Sequence, residues 1–379
     1  MARQKFYLDH NAASPLRPEA RAALLAALDL TGNPSSVHAH GRALRDAIET
    51  GRRQVAKLAG AESRQVVFTG SATEAITQAI VGGARIFAAS TIVVSAGDHV
   101  AASQAAVATG LPVITIGLLP DGRIDLDQLA QVLAEGEGNF LVAVHWVNNE
   151  TGVVQPISRI SAMVGPTRHT LFVDAVQAFG KLPLDFAASA PDMMAISGHK
   201  IGAPSGIGAL LVKGHADTVR IIPGGGQEQG RRGGTEAFAL IAAFGAAAEA
   251  AAHDDRDRLQ VLVDNVEAGL RNLAPDVVIF GKDADRVGSV VNFAIPGLKS
   301  ATAMMALDLQ GLSVSSGSAC SSGKVSTSHV LLAMGVSPEL AECALRISFG
   351  WNSTEEDATA FLSATETILA RQKRSGQAA

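Results

Sequence analysis

The chain contains few cysteines and few aromatic residues for its length. Among 379 residues there are two cysteines, two tryptophans and one tyrosine. The cysteines, Cys320 and Cys343, are too few for the disulfide framework that stabilises small secreted domains. Their number fits a reducing compartment, so we expect a cytoplasmic protein.

Long apolar runs and an excess of positive charge are also absent. No apolar run reaches the roughly 18 residues needed to cross a bilayer without a charge or a glycine. Residues 1–9 lack the apolar centre of a signal peptide. The net charge is −5 without a basic stripe. We therefore expect neither a membrane nor nucleic acid as a partner.

Length and composition predict a folded protein with two domains. A chain of 379 residues with 47% hydrophobic and 18% charged residues exceeds one comfortable core and is not typical of disorder. We expect a large domain at residues 15–255. Residues 1–14 and 256–379 should form a smaller α+β domain, with an extended N-terminal arm and a cysteine-containing loop at about 315–327.

Strand-like and helix-like segments alternate through the predicted large domain. The strand-like runs are 65–69, 91–95, 112–116, 140–147, 170–173, 193–196 and 208–212. This order predicts an α/β fold with a mostly parallel seven-stranded sheet and helices on both faces. Functional residues of such sheets gather past the carboxyl ends of the strands. Polar residues follow five of the runs: Ser71-Ala72-Thr73, Asp98-His99, Asn148-Asn149-Glu150, Asp174–Gln177 and Ser197–Lys200.

Lys200 is the candidate for a covalent link to a carbonyl cofactor. It follows the apolar run 193–196, and Gly198, Gly202 and Pro204 prevent a helix from absorbing it. A lysine held at a strand end can form a Schiff base with a cofactor such as pyridoxal phosphate. A surface lysine in a loop is the alternative for this residue taken alone.

Polar residues at the same predicted sheet edge could serve that cofactor. Asp174 could pair with a pyridine nitrogen, or it could cap the next helix. His99 could stack on the ring and move protons, or it could be an ordinary loop histidine. Gly70-Ser71 followed by Ala72 and Thr73 has the form of a phosphate cradle of backbone N–H groups, although many βα turns share it.

Other side chains could contact the ring hydroxyl or the phosphate. Gln177 and Asn149 carry amides that could bond to the hydroxyl, although Asn149 could belong to a simple turn. Ser197 and His199 could donate to phosphate. The glycine-rich segment 223–236 is a flexible linker or an anion-binding loop, and its two arginines and threonine favour the second.

Cys320 lies among serines and glycines in the segment 314–324. A structural cysteine is usually buried among apolar neighbours, whereas this one should be exposed and mobile. Exposed thiols are reactive when a neighbouring group lowers their pKa. Cys343 has the surroundings of a core residue, and Arg346, in a later strand, requires a carboxylate partner.

Together these segments resemble the cysteine desulfurases of the NifS/IscS type, which are fold-type I pyridoxal phosphate enzymes of the class-V aminotransferase-like group. The resemblance runs from residue 6 to about residue 350, and its pieces are specific jointly rather than singly. The matching segments are 7–13 (YLDHNAA), 32–38 (GNPSSVH), 68–74 (FTGSATE), 147–152 (VNNETG), 173–177 (VDAVQ), 197–200 (SGHK), 224–228 (GGGQE), 232–235 (RGGT) and 315–320 (SSGSAC).

The resemblance implies pyridoxal 5′-phosphate as the cofactor. Lys200 would hold it covalently, and Asp174 would contact its pyridine nitrogen. His99 would stack on the ring and take part in proton transfer. Gln177 and Asn149 would approach the ring hydroxyl.

The resemblance also implies a phosphate site, a substrate site and a homodimer. The phosphate would be bound by Ala72, Thr73, Ser197 and His199. Thr235 would reach the same phosphate from the second subunit, so the site would be shared. Arg346, together with Asn149, would bind the carboxylate of L-cysteine, and no metal is expected.

The implied reaction converts L-cysteine to L-alanine. Lys200 would remove the Cα proton, and the thiolate of Cys320 would take the sulfur as a persulfide. The sulfur would pass to an acceptor, such as an iron–sulfur cluster scaffold protein. A selenocysteine lyase or another class-V aminotransferase-like enzyme is the alternative activity. A binding module without cofactor is the alternative outside enzymes, and Lys200 argues against it.

The chain departs from the pattern of this family at two places. Residues 75–77 (AIT) replace a serine and an Asp-Asn pair that many relatives have, which alters the packing behind the phosphate helix. Gln229 stands where an arginine is usual, so one basic contact near the cofactor or substrate is missing. The sequence given ends at residue 379, so we do not expect the longer tail with which some relatives dock a scaffold protein.

Overall fold

The structure is a computed structural model that describes residues 5–189, 191–316 and 327–377. All seven strands predicted for the large sheet are present. In chain order the strands are β1 (Phe6–Tyr7), β2 (Val66–Thr69), β3 (Ala89–Ser95), β4 (Val113–Ile116), β5 (Asn139–His145), β6 (Thr170–Asp174), β7 (Met193–Ser197), β8 (Gly208–Val212), β9 (Val278–Ile279), β10 (Val290–Ala294), β11 (Leu312–Ser313) and β12 (Ala344–Ser348).

Strands β2 to β8 form one sheet in the order β2-β8-β7-β6-β5-β3-β4. The five adjacent strands β4, β3, β5, β6 and β7 are parallel to one another. Strand β8 pairs antiparallel with β7, and β2 pairs antiparallel with β8, so β8 alone runs against the other strands of this sheet. The mostly parallel sheet expected from the alternating pattern is therefore confirmed. Its parallel strands end at one common edge, where functional residues gather in α/β proteins.

Helices cover both faces of this sheet. In chain order the helices are α1 (Pro18–Leu28), α2 (Ala39–Ala59), α3 (Ala72–Thr77), α4 (Gly83–Ile86), α5 (Val100–Ala108), α6 (Leu126–Glu135), α7 (Ile157–Val164), α8 (Phe238–Ala251), α9 (Arg256–Leu273), α10 (Ser300–Asp308), α11 (His329–Ala333), α12 (Pro338–Ala341) and α13 (Glu355–Gln377). A π-helical turn, Gln78–Gly82, joins α3 to α4. Within the described ranges, no helix combines the length and apolar character needed to cross a bilayer.

Alternate residues of each strand pack against different helices. Val142 and Val144 of β5 belong to a cluster with α1, α2, α6, α7 and α8. Leu141 and Ala143 belong to a second cluster with α3 and α5. Because side chains alternate across a sheet, His145 continues the row that faces α3 and α5. This α3/α5 face is where the cavity described below lies.

A second group of elements has its own apolar cluster. Strands β12, β10 and β9 form a three-stranded antiparallel sheet. Buried residues of α9, α10 and α13 pack against it, among them Leu262, Leu307 and Phe361. Val287 and Val290 belong to the cluster of the large sheet, and the expected division at 15–255 and 256–379 stays a prediction.

The N-terminal arm pairs with the second group of elements. We expected residues 1–14 to form an extended arm of the smaller domain, and residues 6–7 are an extended strand in the structure. Strand β1 pairs in parallel with β11, and the N–H of Leu8 donates to the carbonyl of Ser313 at 2.9 Å. Leu8 is fully buried in the cluster of the second group. Pairing satisfies the backbone groups that burial of Leu8 removes from water.

Candidate active site

The carboxyl ends of the parallel strands open onto a cavity of about 420 Å³. Small-molecule sites typically measure about 300–1,000 Å³. Nine of the predicted site residues line this cavity: Ala72, Thr73, His99, Asn149, Asp174, Gln177, His199, Lys200 and Arg346. The structure therefore brings these nine residues together on one cavity, while their individual roles stay predictions.

Lys200 reaches the cavity from a tight turn after β7. Gly202 has a φ of +86°, a left-handed conformation that suits glycine, and a Cβ there would meet the side chain of Arg17 at 2.6 Å. The Nζ of Lys200 donates to the backbone carbonyls of Asn11 and Ala12 at 2.7 and 2.8 Å. The amine is thus held by the N-terminal arm at the cavity wall.

Asp174 ends β6 and is almost fully buried. Its Oδ1 accepts from the N–H of Val176 at 3.0 Å. Burial raises the pKa of this carboxyl, and the nearby charge of Asp98 raises it further, while the Val176 bond, His99 and His145 lower it. A positively charged group in the cavity would favour the ionised carboxylate.

Two histidines of the site are fixed by local hydrogen bonds. His99 caps α5, and its Nδ1 accepts from the N–H of Ala101 at 3.1 Å, which places the proton of the neutral ring on Nε2. His199 Nδ1 lies 2.8 Å from the hydroxyl of Ser197. Burial lowers the pKa of His199 to about 4, and the charge of Lys200 contributes. His199 is therefore neutral near pH 7.

The predicted phosphate residues do not all reach the cavity wall. Ala72 and Thr73 line it at the start of α3, where the first helical N–H groups have no partner within the helix. Ser197 is fully buried behind His199 and does not line the cavity. Its part in phosphate binding would therefore act through the His199 ring.

Asn11, a residue that the sequence did not single out, connects the site. Its backbone carbonyl accepts from Lys200, and its side-chain amide donates to the carbonyl of Asn149 at 3.0 Å. The same backbone carbonyl of Asn11 accepts from the amide of Gln177 at 2.9 Å. The Nζ of Lys181 donates to Asn11 Oδ1 and Gln177 Oε1, both at 2.5 Å. The segment 7–13 marked this part of the chain, but not which of its residues enters the site.

Lys181 is a second half-buried lysine beside the site. Burial lowers its pKa well below its usual range, and the charges of Lys200 and Arg346 lower it further. A neutral amine at this position can donate to the two amide oxygens without placing a third positive charge beside Lys200 and Arg346.

Arg346 already has a carboxylate partner within the chain. Its Nη2 donates to Asp9 Oδ1 at 2.8 Å, and its Nη1 donates to the carbonyl of Asn149 at 2.9 Å. Its Nε is buried without a hydrogen-bond partner among the described residues. Burial raises the pKa of Asp9 although Arg346 and Lys200 oppose this. The carboxylate that we expected Arg346 to require is thus first supplied by the N-terminal arm.

Two predicted residues are not in this cavity. Thr235 is exposed in the glycine-rich loop and does not line the cavity of its own chain. Cys320 lies outside the described residues. The arginines of the glycine-rich loop bind carboxylates of the chain: Arg231 contacts Asp217, and Arg232 contacts Glu74.

His145 was also missed by the sequence analysis, although it ends β5 and lines the cavity. The predicted strand extended to residue 147, so His145 was counted as a strand interior residue. Among the altered residues 75–77, Ile76 lines the cavity as an apolar wall. A strand boundary placed two residues earlier would have revealed His145 by the strand-end rule.

Comparison with known proteins decides the family. The sequence matches the aminotransferase class-V family over residues 6–361. The chain belongs to this family. Its fold is that of fold-type I pyridoxal phosphate enzymes, and the expected cofactor is confirmed at the level of the family.

This chain matches curated relatives along almost its whole length. It is 35% identical over 386 residues to an IscS-like cysteine desulfurase of Mycobacterium tuberculosis, with 98% of each chain covered. It is also 35% identical over 375 residues to a cysteine desulfurase of Gluconacetobacter diazotrophicus, with 96% of this chain and 93% of the relative covered.

Solved structures give the same result for the fold. A NifS-like protein from Rickettsia africae superposes with a TM-score of 0.88 at 31% identity, covering 97% of this chain and all of the other. SspA in complex with cysteine superposes with a TM-score of 0.81 at 28% identity, covering 92% of this chain and all of SspA.

The residues that line the cavity of this chain fit pyridoxal phosphate. Asp174 offers a buried carboxylate for a protonated ring nitrogen, and Lys200 offers an amine on the same cavity. The start of α3 and the neutral His199 offer donors for a phosphate. When bound, the cofactor supplies an electron sink for reactions at the Cα atom of an amino acid.

Proposed function

We propose that this enzyme is a cysteine desulfurase that takes sulfur from L-cysteine and releases L-alanine. The observation that carries the proposal is the meeting of Lys200, Asp174 and Arg346 on one cavity in a chain whose full-length relatives are named cysteine desulfurases. These three side chains supply an amine base, an anchor for the cofactor nitrogen and a carboxylate-binding cation.

Substrate binding depends on how Arg346 shares its donors. Its guanidinium is held by Asp9 and by the Asn149 carbonyl, so it is oriented before substrate arrives. The α-carboxylate of cysteine would bind to donors of the same guanidinium and to the side chain of Asn149.

Proton transfer is assigned to Lys200 and His99. Once released from the cofactor, the Lys200 amine would take the Cα proton of the substrate. The Asn11 and Ala12 carbonyls hold its Nζ at the cavity. The Nε2 proton of His99 would serve the departing sulfur or the product carbon.

Sulfur transfer is assigned to Cys320. Its thiolate would attack the substrate sulfur, so that an S–S bond forms as the carbon–sulfur bond breaks, and the carbon gains protons to leave as L-alanine. The persulfide would then pass to an acceptor, for which an iron–sulfur scaffold protein is our candidate. We also propose a homodimer in which Thr235 completes the partner's phosphate site, and its exposure supports this.

The test uses intact mass after reaction with L-cysteine. The expected result is L-alanine release and a mass gain of one sulfur, about 32 Da, on Cys320. The variant Cys320→Ala should lose the mass gain and the turnover. Cys343→Ala is the matched control, because Cys343 is a buried free thiol. Full turnover of Cys320→Ala would contradict the proposal and favour an activity that needs no thiol.

A further inference from the structure

His145 and Asp174 stand side by side on the α3/α5 face of the sheet. Strands β5 and β6 are parallel neighbours, and the register pairs His145 with Asp174. Paired residues of neighbouring strands point to the same face. Both side chains are buried and both line the cavity.

Asp98 holds the ring of His145 in one orientation. His145 Nδ1 lies 2.7 Å from Asp98 Oδ1, and the backbone N–H of His145 donates to the same oxygen at 2.9 Å. The other oxygen accepts from the N–H of Ser95 at 2.8 Å. These contacts fix the Nδ1 edge of the ring against Asp98.

The remaining nitrogen of the ring has no partner in the described part of the chain. His145 Nε2 is buried and makes no hydrogen bond. Buried polar atoms without partners are rare in native proteins, and they call for an explanation such as a ligand or a catalytic role. The position of His145 on the cavity wall supports the ligand explanation.

The charges around Asp174 indicate how His145 could affect the cofactor site. Among the described residues, the charge of Asp98 opposes the ionisation of this carboxyl, whereas His99 and His145 favour it. The titratable groups His199, Lys200 and Arg346 line the same cavity. Burial also opposes ionisation. A carboxyl that is to hold a protonated pyridine nitrogen must itself be ionised. His145 is hydrogen-bonded to Asp98 and is in register with Asp174.

We propose that His145, oriented by Asp98 and in register with Asp174, is a positioning residue for the cofactor beside the carboxyl that meets its ring nitrogen. This inference rests on the family's cofactor and not on the transfer of sulfur. It can therefore be tested without cysteine, and its failure would leave the proposed desulfurase activity untouched.

The test compares two substitutions of His145, each of which retains a polar group near the position of one ring nitrogen and loses the other. His145→Asn places an amide donor near the Nδ1 position and keeps the Asp98 contact, but it removes Nε2. His145→Gln places an amide near Nε2 instead. His215→Asn is the control, because His215 forms an exposed histidine–aspartate pair with Asp192 away from the cavity.

Pyridoxal phosphate affinity and the absorbance of the holoenzyme across pH are the readouts. We expect His145→Asn to bind the cofactor about tenfold more weakly, because it removes an interaction that favours the ionised form of Asp174. The midpoint of the absorbance titration should move as well, while His215→Asn matches the unchanged protein.

Two results would overturn the inference. One is a cofactor affinity and an absorbance titration of His145→Asn that equal those of the unchanged protein. The other is damage in His145→Gln alone, because that pattern would mean that His145 only holds the loop of Asp98. An unchanged melting temperature of the apoprotein shows that a loss in His145→Asn comes from the site.

Discussion

Replacing His10 by asparagine should make the protein less sensitive to acid. His10 is 2% exposed, and its ring lies 3.1 Å from the hydroxyl of Ser14 and 3.4 Å from that of Ser353. Burial lowers its pKa to about 3, and the positive charges of Lys181 and Arg17 add to this effect. The folded protein therefore keeps His10 neutral over a range in which the unfolded chain binds a proton.

The size of the effect follows from the two pKa values of His10. In the unfolded chain the value is 6.5, and in the folded protein it is about 3. Between them the unfolded state holds one more proton, so the free energy of unfolding falls by about 1.4 kcal/mol for each pH unit of acidification. The contribution is fully present above pH 6.5 and is lost as the pH falls towards 3. At a pH of about 4.5 the loss is roughly 3 kcal/mol.

Urea unfolding at pH 7.5 and pH 4.5 measures this contribution. His10→Asn removes the titrating ring, so its free energy of unfolding should fall less between the two pH values, by roughly 3 kcal/mol. The packing cost of the substitution cancels, because it is present at both pH values. His253→Asn, at an exposed histidine, is the control. Equal pH dependence in the unchanged protein and in His10→Asn would refute the reasoning.

Three further substitutions test other contacts by thermal or urea unfolding. Gly350→Ala should destabilise the protein by about 1–3 kcal/mol, because its Cβ would overlap the ring of His10, and an unchanged melting temperature would contradict this. Arg52→Met should lower the free energy of unfolding by about 3–5 kcal/mol, because it leaves the buried carboxylate of Glu228 without its ion-pair partner. Replacing both Arg52 and Glu228 should lower it less. As the pH is lowered from 10.5, the free energy of unfolding should fall, because Lys181 resists protonation in the folded state and not in the unfolded state. Lys181→Met should reduce this fall, and parallel pH profiles of the two proteins would contradict the prediction.

Most of the sheet and many cavity residues could be predicted from local patterns. Apolar runs mark strands β2 to β8, because a strand buried on both faces needs apolar residues throughout. Polar residues just after those strands mark the cavity, because parallel strands end at one edge. Lys200 and Asp174 were found in this way, and the family match confirmed the fold and the cofactor.

The contacts that orient the site could not be predicted in this way. Asp9 and Arg346 are 337 positions apart, yet they form an ion pair. Asn11 joins Lys200 and Gln177, which lie 189 and 166 positions away. Nothing in the local sequence of the arm indicates that it enters the cavity.

The amino-acid sequence by itself determined the elements, the order of the strands along the chain and the chemical types available at the sheet edge. Periodicity and turn residues report the local backbone and its burial, so these properties are readable without a structure. Only the tertiary structure decided that Asp98 holds His145 beside Asp174, and that Asp9 reaches Arg346. Hydrogen bonds and charge interactions act over a few ångströms in space, and distance along the chain does not encode that separation.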